Sequence, residues 1–227
     1  MTKPIVVFDL DGTLIDTAPD LLDSLNYCLE LAGLARAKPE ELRRFVGMGG
    51  RVMIERAFES QKMPLLEAQL DELQAAFLKH YGGNMPGLSR PYPGVLESID
   101  RFHSAGYICA ICTNKYETLA TTLIERLELT HLFKAIAGAD TFPFRKPDPR
   151  HLTETIAMAG GDPARALMVG DSRTDIDTAK AAGIPVVAVD FGYTDRHVSE
   201  FEPSKVISHF DELTLELAES LISQTVS

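Results

Sequence analysis

The first strand-like run, Ile5-Val6-Val7-Phe8, stands far from every other such run in this chain of 227 residues. A short β-branched and aromatic segment that ends in a turn reads as a buried strand. Between Asp16 and Arg90 no convincing strand succeeds it. That stretch carries helical spacing instead: Pro19 to Ala32 (Leu21, Leu25, Cys28, Leu29, Ala32), Pro39 to Val46, Arg51 to Phe58, and Pro64 to Tyr81 (Leu66, Leu70, Leu73, Phe77). The partners of the first strand must therefore come from residues beyond 90.

They do. After the turn-rich Arg90-Pro91-Tyr92-Pro93-Gly94, helices and strands alternate. The spacing predicts helices at Val95 to Ser104, Tyr116 to Leu129, Pro149 to Ala159, Thr174 to Ala182 and Phe210 to Ile222. It predicts strands at Tyr107 to Cys112, Ala135 to Gly138, Ala166 to Val169 and Pro185 to Val189. Such alternation argues for a parallel sheet covered on both faces. The expected fold is a doubly wound α/β core built from residues 1–15 and 91–227. Residues 16–90 are expected to form a helical insertion, with hinges near 14–18 and 88–93.

Charge narrows the function. Thirty-three acids against 22 bases give a formal charge of −11, which repels nucleic-acid backbones and anionic lipid heads. No nucleic-acid or membrane partner is expected. The longest uncharged stretch, Phe102 to Asn114, is short of the ~18–20 residues that span a bilayer, and no signal peptide is read at the N-terminus, so a cytoplasmic location is expected. The pair Cys109 and Cys112 has C-x-x-C spacing, but an odd separation along a strand puts the thiols on opposite faces. These read as core cysteines. The histidines show no metal-ligand spacing.

Ligands of open α/β sheets bind beyond the carboxyl ends of the strands, so the residues just after each strand are the place to search. The first strand ends in Asp9-Leu10-Asp11-Gly12-Thr13, a later one in Thr113-Asn114-Lys115, and another in Gly170-Asp171-Ser172-Arg173-Thr174-Asp175. The loop Arg145-Lys146-Pro147-Asp148 precedes a helix. Carboxylates, a hydroxyl, an amide and a lysine converging on one edge fit a divalent cation plus a phosphoryl group. Asp9 and Asp11, two apart at a strand end, lean to one side. A plain Asp-Gly turn needs neither the second acid nor the buried strand before it. An EF-hand loop opening at Asp9 would need glycine where Leu14 stands. Gly47-Met48-Gly49-Gly50-Arg51-Val52 lacks the last glycine of a dinucleotide fingerprint and the strand before it.

These clusters, in this order, resemble the haloacid dehalogenase-like hydrolases over nearly the whole chain. Asp9-x-Asp11-Gly-Thr matches the first motif, Thr113 the second, Lys146 the third, and Gly170-Asp171 with Asp175 the fourth. The acid at Asp11 is found in the phosphatases and phosphomutases of that family. The insertion at 16–90 resembles its small α-helical cap, which implies closure over the site. Within the capped enzymes, residues 16–21 and 46–57 are similar to the phosphoglycolate phosphatases.

The resemblance implies a Mg²⁺-dependent phosphatase of a small phosphorylated metabolite, with 2-phosphoglycolate the leading substrate. Asp9 is the expected nucleophile, forming an aspartyl-phosphate, and Asp11 the expected acid and base. Mg²⁺ would be held by Asp9, Asp171 and the main-chain carbonyl of Asp11. Lys146 and Thr113 would hold phosphoryl oxygens, and Asp175 would orient the metal's ligands. Asn114 reads equally as a substrate contact or a helix N-cap. Arg51, opening a helix after the glycine loop, is a candidate for the substrate carboxylate, with a solvated helix position as the alternative. A phosphomutase of the β-phosphoglucomutase type, a phosphatase acting on pyrophosphate or a nucleoside monophosphate, and a non-catalytic phosphoacceptor remain alternatives. A receiver domain needs no such insertion and would not place its phosphoacceptor on the first strand. A monomer and a homodimer are both compatible with the sequence.

Overall fold

The computed structural model describes residues 2–38, 43–194 and 196–225. In chain order its strands and α-helices are β1 (Lys3–Phe8), β2 (Ile15–Asp16), α1 (Ala18–Leu31), α2 (Gly50–Ser60), α3 (Glu67–Asn84), β3 (Arg90–Pro91), α4 (Val95–Ser104), β4 (Ile108–Cys112), α5 (Glu117–Arg126), β5 (Ile136–Ala137), α6 (Pro149–Ala159), β6 (Gly161–Gly170), α7 (Arg173–Ala181), β7 (Val186–Val189), β8 (Lys205–Ile207) and α8 (Leu215–Thr225). The large sheet runs β5-β4-β1-β6-β7-β8, and every pairing within it is parallel. Its first strand thus lies in the middle, and the direction of winding reverses beside it.

Strand residues divide cleanly between two cores. Val6, Phe8, Cys109, Ile111, Leu167 and Val169 face one layer. Ile5, Val7, Ala110, Cys112, Ala166 and Met168 face the other. Burial on both faces explains why these runs are continuously apolar rather than alternating. Cys109 and Cys112 fall in different cores, as their spacing requires, and burial alone pushes the Cys109 thiol up to about 12. It is a packing residue.

Residues 18–84 supply α1, α2 and α3, which pack on one another and add Leu25, Met53, Ile54 and Phe77 to the first core. The expected helix at Pro39 to Val46 is a 3₁₀ segment at Arg43–Met48, and residues 39–42 lie outside the described part. Where the chain leaves and re-enters the sheet region, β2 and β3 pair antiparallel, Ile15 with Pro91 and Asp16 with Arg90. Two-residue strands are too short to leave a period in the sequence. Asp20 fastens the same junction by accepting hydrogen bonds from the backbone of Leu88 at 2.7 Å and Ser89 at 3.1 Å.

Two other elements differ from expectation. Strand β8 is only three residues long, again below the length at which alternation can be read. The last helix is two pieces, a 3₁₀ turn at Phe210–Glu212 and then α8. Thr214 accepts a hydrogen bond from the Leu217 N–H and so restarts the helix.

Candidate active site

The carboxyl ends of β1, β4 and β6 open into a cavity of about 750 Å³ whose far wall is α2 and α3. Asp9, Asp11, Thr113, Asn114, Lys146, Asp171 and Asp175 all line it, as does Arg51 from the helical side. Parallel neighbours in register bring the ends of β1 and β6 together, with the Asp9 N–H donating to the Val169 carbonyl at 2.9 Å. Residues distant in sequence thus meet because their strands are adjacent.

Lys146 is the centre of charge. Its Nζ lies 2.8 Å from Asp9 Oδ1 and 2.5 Å from Asp175 Oδ1, and its side chain is 1 % exposed. Burial pulls its pKa down, but Asp175 and Asp9 outweigh burial and hold it above the ordinary lysine value. Two uncharged groups fix the loop. His151 Nδ1 accepts the Lys146 N–H at 3.2 Å while Nε2–H donates to the Gly138 carbonyl at 3.0 Å. Burial, then the nearby Lys146 charge, lowers the His151 pKa to about 4, so the ring is neutral at pH 7. Asn114 Nδ2 donates to the Lys146 carbonyl at 3.0 Å. Asn114 therefore braces the lysine loop and does not cap α5, whose N-cap is Tyr116.

Asp175 does two things at once. Its Oδ2 accepts from the Ser172 N–H at 3.1 Å and the Ser172 hydroxyl at 2.6 Å, closing a capping box at the start of α7. Its Oδ1 is the one that meets Lys146. The side chain is locked by local helix chemistry and offered to a residue 29 positions away.

Asp171 is held just as firmly. Thr13 Oγ1 donates to its Oδ1 at 3.0 Å and the Tyr193 N–H to its Oδ2 at 2.6 Å. Gly12, at φ +84°, lies against this carboxylate, and a Cβ there would stand 2.5 Å from Asp171 Oδ2. At Gly170 a Cβ would come within 2.3 Å of Asp175, so both glycines are required by close packing of the acids.

Oxygen atoms of Asp9, Asp171 and Asp175 lie within 4.8 Å of one another, facing the single ammonium of Lys146. Burial first, and then the neighbouring acids, raises Asp171 well above the usual carboxylate range. Burial raises Asp9 to about 6 despite Lys146, and Asp175 adds to the rise. A buried all-oxygen cluster with more negative than positive charge fits a hard divalent cation. Asp9, which meets Lys146 through Oδ1 only, and Asp171, whose donors are uncharged, are better suited to hold it than Asp175, which gives one oxygen to the Lys146 ammonium and the other to two Ser172 donors.

Asp11, two residues beyond Asp9, faces the helical side. Lys115 Nζ lies 3.0 Å from its Oδ1 and 3.1 Å from its Oδ2, and Thr17 Oγ1 donates to Oδ1 at 2.7 Å. The same ammonium is 4.3 Å from the centroid of the Tyr81 ring of α3. Asp11 is therefore touched by the sheet edge and by the start of α1. Lys115 and Tyr193 are site residues that the sequence pattern did not single out. A lysine directly after Thr113-Asn114 was a visible signal. Tyr193 was not, since its N–H meets Asp171 while its hydroxyl donates to Asp16 Oδ1 at 2.5 Å, a link made by folding.

Arg51 lines the cavity, but its guanidinium is bound to Glu67, to Asp71 at 2.6 Å and to Gln74 at 3.0 Å, all from α3. The stretch at 16–21 is likewise occupied with architecture. Asp16 meets Tyr193, Thr17 aims Asp11, and Asp20 clamps residues 88–89.

The family of haloacid dehalogenase-like hydrolases matches residues 6–189. The chain belongs to that family. It is similar to the phosphoglycolate phosphatase of Mesorhizobium japonicum, with 70 % identity over 98 % of each chain. It is similar also to that of Agrobacterium fabrum, with 51 % identity over 98 % of this chain and 95 % of the relative. Among solved structures, a predicted phosphoglycolate phosphatase from Haemophilus somnus superimposes with a TM-score of 0.87 at 30 % identity, covering 96 % of this chain and 98 % of the other. The chain is thus an enzyme of a hydrolase family, and no helix among its described residues is long and apolar enough to cross a membrane.

Proposed function

We propose that the protein hydrolyses 2-phosphoglycolate to glycolate and phosphate. The observation that carries this reading is the paired arrangement at one sheet edge: Asp9 against Lys146 and, two residues on, Asp11 against Lys115. A phosphate ester resists attack because it is a dianion, so neutralisation and positioning are most of the task. Asp9 attacks phosphorus, the ester bond breaks, and an aspartyl-phosphate forms. Asp11 gives its proton to the leaving oxygen, then takes one from the water that cleaves the intermediate. Lys146 and Thr113 hold phosphoryl oxygens. Asp9, Asp171 and the Asp11 carbonyl would hold Mg²⁺, which would supply neutralisation of phosphoryl charge. Asp175 keeps Lys146 and the start of α7 in place around it.

Residues 16–90 are proposed to act as a cap, turning about the β2–β3 ribbon to exclude water while Asp9 is phosphorylated. The continuous wall that α2 and α3 make over the acids supports this. The likeness to named phosphoglycolate phosphatases supports the substrate. The test is kcat/KM over 2-phosphoglycolate, β-glucose 1-phosphate, pyrophosphate, a nucleoside monophosphate and phosphoserine, with inorganic phosphate measured. Phosphoglycolate is expected to lead by at least roughly one decade, ~1.4 kcal/mol of discrimination. A lead by any other substrate, or isomerisation without phosphate release, overturns the assignment.

A further inference from the structure

The proposed substrate carries a second charge, and something in the cavity must meet it. Five cations line the cavity among the described residues: Arg51, Lys115, Arg145, Lys146 and Arg173. Lys146 belongs to the nucleophile. Arg51 is shared among two acids and an amide of α3. Arg173 is 70 % exposed and pairs with Asp177, and Arg145 is exposed at the rim. Lys115 alone is both buried, at 6 % exposure, and on the side of the cavity where Asp11 waits for the leaving oxygen.

We propose that Lys115 is the residue that binds the carboxylate of the substrate and so sets the preference for an acidic leaving group. This rests on the reading of phosphoglycolate as substrate. The geometry is a matter of reach. Lys115 Nζ is one hydrogen bond from Asp11, at 3.0 Å, and an oxygen protonated by Asp11 is one hydrogen bond further, so ammonium and leaving oxygen stand at most ~6 Å apart. The carboxylate carbon of glycolate is two covalent bonds from that oxygen, so a carboxylate turned toward Lys115 can reach Nζ. An ammonium has three donors. The two oxygens of the one Asp11 carboxylate can share a single forked N–H, and the Tyr81 ring covers a second side, so a donor remains for the substrate. A charge screened from bulk water in this way acts strongly on a second anion. Phosphate esters of equal size with an uncharged leaving group would leave Lys115 bound to Asp11 alone.

The experiment compares 2-phosphoglycolate with ethyl phosphate, which has a methyl group in place of the carboxylate. In the wild-type enzyme kcat/KM is expected to favour phosphoglycolate by about 10²-fold or more, the scale on which loss of a buried charge partner is felt. Lys115→Met is expected to abolish most of that ratio, chiefly through a higher KM for phosphoglycolate, since the carboxylate is held before and during the chemistry. Lys115→Gln keeps a donor for Asp11 and removes the charge, so it repeats the test with the fold secured, while Lys115→Arg is expected to retain a tenth or more of the preference. A large wild-type ratio that survives in the Gln and Met variants, with kcat falling equally on both esters, overturns the assignment and makes Lys115 a partner of Asp11 only. A wild-type ratio near one overturns the substrate reading itself, and this assignment with it.

Discussion

Two basic residues face the same cavity from opposite sides, and the contrast between them separates the two halves of this molecule. Lys146, on the sheet side, is 1 % exposed and joins Asp9 to Asp175. Arg51, on the helical side, is 32 % exposed and joins α2 to acids of α3. The first is held by residues far away in the chain and answers to the acids that would do chemistry. The second is held by its own helical block. Charge position in the sheet half is fixed to within a hydrogen bond, whereas the helical half keeps its charges where water can screen them. The half with buried, fixed charges suits a reacting centre, and the other suits the proposed moving cap.

The largest effect that sharpens this contrast is expected from Asp9→Asn, which removes the proposed nucleophile and a proposed metal ligand together. Phosphate release should fall by on the order of 10⁵–10⁶-fold, and turnover near wild type would remove Asp9 from the role. Asp11→Asn should lower kcat by on the order of 10²–10⁴-fold while cation binding, measured by calorimetry, persists. Loss of binding in that variant would show that the second acid side chain belongs to the metal centre. Lys146→Met leaves buried acids unpaired, and urea unfolding of the metal-free protein should show a loss of about 3–5 kcal/mol. A loss below about 1 kcal/mol, the range of surface pairs, would make the sheet edge no more constrained than the surface.

Acidity gives a fourth test. Asp9 is raised to about 6 and Asp171 is raised as well, both first by burial. In the metal-free protein such acids favour folding below their unfolded value, and that stability is lost as pH rises through the folded one. A divalent cation replaces the protons, so the rise in Tm on adding Mg²⁺ should be larger at about pH 7.5 than at about pH 5, on either side of the raised Asp9 value. An equal or smaller rise at the higher pH would remove these acids from the cation site. The smallest effect is expected from Arg51→Ala, whose partly exposed ion pairs should cost no more than about 1 kcal/mol in urea unfolding. A loss as large as that of Lys146→Met would erase the contrast between the halves.

Much of this protein was legible before folding because its signals are local. Apolar continuity marked β1, β4 and β7 as strands buried on both faces, and helical spacing marked α1, α2 and α3. Strand-end acids pointed to Asp9, Asp11, Asp171 and Asp175, since a parallel sheet gathers the loops after its strands along one edge. Folding alone decided the pairing. That Asp175 shares Lys146 with Asp9, that Lys115 takes Asp11, that Tyr193 ties Asp171 to Asp16, and that Arg51 turns to α3 are contacts between residues up to 177 positions apart. The two-residue strands β2 and β3 were invisible for the same reason, because each exists only through the other. Sequence determines a side chain's chemistry and its place on a strand or helix. Its partner is chosen by packing, which brings distant segments into register.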